Sequence, residues 1–138
     1  MQTFKFLFLL LAGLAIATSS CKKDDDESTD MTKKLVGTYK GTWTESSSTF
    51  SFDFENTEVT VTKTTDTTVS FSANTGASTV TFTGNVKSET EVEVPQQTIS
   101  LSTGSGTVTL SGNSLTVHLT ATNLLGEQGE TDFTGQRQ

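Results

Sequence analysis

The side chains of this chain best equipped for chemistry are few, and their spacing argues against using them. His118 is the only histidine. It lies between Val117 and Leu119 and shares its parity with Thr116 and Thr120, so an alternating strand turns it outward. A Ser–His–Asp hydrolase would need that imidazole in a recess beside its nucleophile. Glu89, Glu91 and Glu93 would align carboxylates along one strand face. Calcium sites mix carboxylates with loop carbonyls, and the row reads instead as a solvated strand whose like charges also block edge pairing. Gly104-Ser105-Gly106 lacks the strand–loop–helix setting of a phosphate cradle and reads as a turn. The sequence therefore predicts no catalytic residue, no metal site and no cofactor, and a protein that is not an enzyme.

The remaining reactive group is Cys21, the single cysteine. It follows Lys5, an apolar run over 6–17 and the small residues Thr18-Ser19-Ser20, a segment too short to span a bilayer comfortably. This pattern resembles the signal of bacterial lipoproteins. The resemblance implies cleavage before Cys21, a diacylglyceryl group on its thiol and a third acyl chain on its amine. At about 0.8 kcal/mol per buried CH₂, several chains make the membrane a permanent partner, where one myristoyl chain would not. The competing reading is an ordinary secretory signal that leaves a free Cys21. Lys22, Lys23, Asp24, Asp25, Asp26 and Glu27 resemble the acidic surface-export tags of some Gram-negative lipoproteins, which implies the outer membrane and an outward-facing domain. Display on the periplasmic face is the alternative. A run so charged and so poor in apolar residues also reads as a solvated, disordered tether. Residues 1–20 are thus expected to be a signal, 21–31 the lipidated cysteine and its tether, and 32–138 one small domain.

Composition narrows the partners. The net charge of the 138-residue chain is −7, and no Lys/Arg cluster lies beyond the tether, which excludes a nucleic-acid partner held by phosphate contacts. With one cysteine there is no intramolecular disulfide, so packing and backbone pairing must supply the stability.

From Thr38 onward the chain alternates with period two: Phe50/Phe52/Phe54, Val59/Val61, Val69/Phe71/Ala73, Val80/Phe82, Val92/Val94, Ile99/Leu101, Val108/Leu110 and Leu115/Val117/Leu119/Ala121. Thr, Ser and Glu occupy the opposite face, as in antiparallel strands with one side in a core. Turn signals fall at Glu55-Asn56, Thr65-Asp66, Asn74-Thr75-Gly76, Pro95-Gln96, Gly104-Ser105-Gly106, Gly112-Asn113 and around Gly126 to Gly129. A single helical turn near Asp30 to Lys34, capped by Asp30 or Thr32, is the only helical signal after the tether. The expected class is all-β: an antiparallel meander of about eight to ten strands that closes as a barrel, with a β-sandwich as the alternative.

Leu35-Val36-Gly37-Thr38-Tyr39-Lys40 resembles the opening of lipocalins and fatty-acid-binding proteins, with Tyr39 in place of tryptophan, and Gly41-Thr42-Trp43 repeats the spacing. Phe133-Thr134-Gly135-Gln136-Arg137 looks like their last strand. The resemblance implies a lipocalin-like barrel of about eight strands in which Arg137 packs across Tyr39 or Trp43 as a cation–π closure. It carries over no ligand-binding residue.

Parity places Tyr39, Trp43, Phe50, Phe52, Phe54, Phe71, Phe82 and Phe133 inside, enough to fill a small barrel. Gly41 and Gly84 leave inward room, unless each marks a bulge or bend. Leu124 and Leu125 sit in the connection before the last strand, either as a plug for the barrel end or as an apolar contact loop. Two functions follow. One is a binding module or accessory subunit at the cell surface, for a small ligand or a protein. The other is an inhibitor-type lipoprotein that blocks a basic enzyme such as a lysozyme by charge complementarity. The sequence specifies neither the ligand nor an oligomeric state.

Overall fold

A computed structural model describes residues 30–138, so the signal, Cys21 and the run from Lys22 to Glu27 lie outside the described residues. Eight strands follow one another: β1 (Gly37–Ser47), β2 (Ser51–Thr65), β3 (Thr68–Asn74), β4 (Thr79–Ser88), β5 (Glu91–Ile99), β6 (Ser102–Ser111), β7 (Ser114–Thr122) and β8 (Gln128–Arg137). Each pairs antiparallel with the next, and β8 returns to β1 to close the barrel. The sandwich alternative is thereby excluded. Closure leaves little unpaired edge, notably where β4 and β5 part beyond the Asn85–Glu93 pair, which suits a small domain without a disulfide.

The period-two pattern decides which face is inside. Val69, Phe71 and Ala73 of β3, Val92 and Val94 of β5 and Leu115, Val117 and Leu119 of β7 are buried, while the residues between them are exposed or half-buried. The rings pair within the barrel: Phe71 stacks on Phe82 at 4.7 Å, and Trp43 lies 6.2 Å from Phe133, centroid to centroid. Such contacts add about 0.5–1.5 kcal/mol each beyond the area they bury.

Three expected turns are not turns. Glu55-Asn56 is a bulge inside β2: Trp43 pairs with Phe54 and Gly41 with Thr57, and Asn56 takes a left-handed φ of 59°. The extra residue switches the inward parity from Phe54 to Thr57, Val59 and Val61. Pro95-Gln96 is likewise a bulge in β5, between the pairs Val94–Gly106 and Gln97–Gly104. A proline with no N–H to donate is tolerated there. Gly104-Ser105-Gly106 is continuous strand within β6. Glu89, expected on a strand face, belongs to the turn between β4 and β5, leaving Glu91 and Glu93 outward on β5.

The inward room expected at the two glycines is taken by neighbouring chain. A Cβ on Gly41 would fall 1.9 Å from the Thr134 carbonyl oxygen, because β1 and β8 approach closely there. One on Gly84 would meet Val92 at 2.3 Å.

Phe50 and Phe52 were expected inside and are instead half-exposed or more, with their rings 5.4 Å apart. Their parity is correct, since Phe54 faces Trp43. However, β3 is short and pairs with β2 only as far as Glu58, so beyond that point no wall covers them on that flank. Only Phe54 packs against the core.

Candidate functional site

A meander gathers alternate turns at one end. The turns between β2 and β3, β4 and β5, and β6 and β7 share an end with the entry to β1 and the exit of β8; the other four connections share the opposite end. The two ends differ in construction.

The first end is plugged. Asp30 caps the turn over 31–35: its carboxylate accepts from the Thr32 backbone N–H at 3.0 Å and from the Thr32 hydroxyl at 2.5 Å. The turn drives Leu35, fully buried, into the barrel. Tyr39 donates its hydroxyl to the Leu35 carbonyl at 2.9 Å. Arg137, directly opposite Tyr39 in the register, donates to the Val36 carbonyl at 2.8 Å, to the Lys34 carbonyl and to the Tyr39 hydroxyl at 2.5 Å. Its guanidinium carbon is 4.9 Å from the Tyr39 ring centroid. The structure thus brings together Tyr39 and Arg137. It does not bring Arg137 to Trp43, which sits deeper against Phe133.

Electrostatics reinforce the plug. Burial pushes the Tyr39 phenol above its ordinary value, and the charge of Arg137 opposes part of that shift. Lys63 bridges Asp30 at 2.7 Å and Asp66 at 2.5 Å. Hydrogen bonds from Lys63 first and Thr32 second lower the Asp30 carboxyl from 3.8 to about 2, and the same bonds to Asp30 and Asp66 raise Lys63. Lys34 pairs with Glu89, and Lys87 with Glu93 at 2.5 Å.

The second end is open. A cleft of about 300 Å³ enters the barrel there, lined by Trp43, Val80, Ile99, Leu119 and Ala121 and edged by Glu45, Glu127 and Glu130. The Trp43 indole N–H donates to Glu45 at 3.0 Å, which holds that carboxylate at the mouth. Backbone pairing of β4 with β5 is confined to the plugged half; nearer the mouth the Gln97 amide replaces it, accepting from the Thr83 N–H at 2.9 Å and donating to the Thr83 carbonyl at 2.8 Å.

Around this mouth stand all the large apolar side chains that are exposed among the described residues: Phe50 (48 %), Phe52 (59 %), Leu101 (79 %), Leu124 (87 %) and Leu125 (84 %). Leu124 and Leu125 are almost wholly exposed, so they do not plug the barrel. Their loop is organised by Asn123. Its side-chain oxygen accepts from the Leu125 and Glu127 N–H groups at 2.9 and 3.0 Å, and its amide donates to the Glu127 carboxylate at 2.9 Å.

A second concavity of about 510 Å³ runs along the outer wall at the same end, among Ser46, Thr103, Ser105, Thr120, Gln128 and Glu130. It lacks the apolar floor usual in ligand sites, whereas the mouth has one. His118 lies on the outer wall, its Nδ1 2.6 Å from Asp132 Oδ1, with both side chains about half-exposed. Among the described residues no three His, Cys, Asp or Glu side chains are grouped to hold a metal.

Of the residues at the mouth, the sequence places Leu124 and Leu125 in a loop and Trp43, Phe50, Phe52 and Leu101 on alternating strands. It assigns no role to Glu45, Glu127 and Glu130, although counting alternate turns of a meander places them together.

No protein-family model matches this chain, and no curated protein matches it. Among solved structures, a crystal structure of a "putative outer membrane protein" from Bacteroides fragilis superposes with a TM-score of 0.62 at 14 % sequence identity. The alignment covers 79 % of this chain and 53 % of that one, so the chain spans about half the length of this neighbour. At that identity the likeness shows the fold.

Proposed function

We propose that this protein is a lipid-anchored lipoprotein of the outer membrane, displayed at the cell surface, whose lipocalin-like barrel is a non-enzymatic binding module with its open end as the binding face. The observation that carries this reading is the cleft of about 300 Å³ floored by Trp43, at the end opposite the one where residue 30 enters the domain. A cleft of that size, with an apolar floor beneath a mostly polar rim of serines, Asn123, Gln128 and three glutamates, is at the small end of the range for ligand sites. The anchor rests on the resemblance of the segment ending at Cys21 to lipoprotein signals. The description of the Bacteroides fragilis neighbour supports the outer membrane. The lipocalin likeness rests on Gly37-Thr38-Tyr39 and Arg137, which meet at the plugged end. Half-exposure of His118 on the outer wall supports a role without catalysis.

Trp43 is the only tryptophan and lines the cleft, so it reports occupancy directly. Titration with neutral N-phenyl-1-naphthylamine is expected to quench Trp43 emission saturably, and Ala121→Phe, which fills the cleft, to abolish the effect while far-ultraviolet circular dichroism stays unchanged. Quenching that never saturates, or that survives Ala121→Phe, refutes the cleft as a site. Mass spectrometry of the N-terminal peptide from membranes tests the anchor: an unmodified Cys21 refutes it.

A further inference from the structure

The two ends also differ in charge. Every lysine and arginine of the described residues (Lys33, Lys34, Lys40, Lys63, Lys87 and Arg137) lies in the plugged half, before β1, on the half of β1 next to the plug, at the plugged ends of β2 and β4, or at the exit of β8. The acids of that half are largely matched by these cations, as Asp30, Asp66, Glu89 and Glu93 show. The open half carries Glu45, Asp53, Glu55, Glu127 and Glu130, and no lysine or arginine of the described residues bridges any of them. The same end bears all five exposed large apolar side chains. An apolar rim without compensating cations is complementary to a surface that is both apolar and basic.

Size decides between a small cation and a macromolecule. Phe52, Leu101, Leu124 and Leu125 lie outside the lining of the cleft, so a molecule confined to it would leave them in water. The Asn123 bonds hold the leucine loop in shape before any partner arrives, which lowers the ordering cost of binding. Resting on the binding-module reading above, we infer that the open end docks a cationic, apolar-flanked segment of another protein, with Phe50, Phe52, Leu101, Leu124 and Leu125 covering its apolar side chains and Glu45, Glu127 and Glu130 meeting its lysines or arginines.

The test uses the chain from Cys21 onward with Cys21→Ser, and a fluorescent amphipathic peptide of alternating Leu and Lys pairs, beside the same peptide with Glu for Lys. Anisotropy should show saturable binding of the Lys peptide, little binding of the Glu peptide, and weakening as salt rises. Glu45→Gln/Glu127→Gln/Glu130→Gln should weaken binding about tenfold, the effect of three exposed ion pairs. Leu124→Ser/Leu125→Ser should weaken it at least as much at high salt, where the apolar contribution remains. The tether acids are present in every variant and cancel in the comparison. Binding insensitive to the three Gln changes, or equal binding of the Glu peptide, overturns the charge half of the inference. Binding insensitive to the two Ser changes overturns the apolar half. Sedimentation with phosphatidylcholine vesicles that depends on Leu124 and Leu125 but not on the carboxylates assigns the rim to a lipid surface and overturns the proposal. If the naphthylamine probe still fills the cleft while the peptide fails to bind, this inference falls and the binding-module reading stands; if neither binds, both fall.

Discussion

The plugged and open ends of this barrel are made from the same kind of residue and use it in opposite ways. At the plugged end Leu35 and Tyr39 are driven inside, and Arg137 satisfies carbonyls that would otherwise be left at the end of a turn. At the open end Phe52, Leu101, Leu124 and Leu125 are largely exposed, and no lysine or arginine of the described residues bridges Glu45, Glu127 or Glu130. The difference teaches where stability resides. The plugged end carries interactions that are lost on unfolding, whereas the open end leaves Leu101, Leu124 and Leu125 nearly as exposed as in the unfolded chain and so free to engage something else.

The largest expected effect is at the plug. Leu35→Ala should lower the unfolding free energy by about 2–5 kcal/mol in urea titrations, as for other fully buried leucines. A loss below about 1 kcal/mol would mean that the turn over 31–35 merely rests on the barrel, and the contrast between ends would weaken.

Arg137→Ala should cost less, about 1.5–3 kcal/mol for hydrogen bonds from a charged donor. A double-mutant cycle with Tyr39→Leu, which removes ring and hydroxyl together, sharpens the assignment. Coupling of a few tenths to about 2 kcal/mol is expected with Tyr39, and coupling near zero with Trp43→Leu, because the guanidinium touches only the first ring.

Titration separates the ends further. Because the folded Asp30 carboxyl lies near 2 rather than 3.8, its contribution is complete above pH 3.8 and is lost as pH falls through about 2. Tyr39 has the opposite sign. Its phenol is raised in the fold, so its contribution is complete below pH 10 and is lost as pH climbs above 10 toward the folded value. Asp30→Asn should flatten the acid limb of the stability profile and Tyr39→Phe the alkaline limb. Since Tyr39 is the only tyrosine, phenolate absorbance follows it without interference.

The smallest effects belong to the open end. Leu124→Ser, Leu125→Ser and Phe52→Ser should each change stability by no more than about 0.5 kcal/mol. Urea midpoints that fall as far as those of the plug variants would break the comparison, because the rim would then be structural.

What the sequence by itself determined is the class and, in β3, β4 and β7, the inner face. Strict alternation in those strands can bury only one set of side chains, whereas for the closing contact the sequence narrowed the partner of Arg137 to Tyr39 or Trp43, and the register placed it against Tyr39. Three decisions needed the tertiary structure. Glu55-Asn56 and Pro95-Gln96 have the same local preferences in a turn as in a bulge, and only a partner strand that continues past them makes them bulges. Phe50 and Phe52 have inward parity, yet burial requires a wall opposite, and the short β3 removes it. The clustering of Glu45, Leu101, Leu124, Leu125, Glu127 and Glu130 at one end comes from strand connectivity, because residues far apart in the chain become neighbours only when alternate hairpins point the same way.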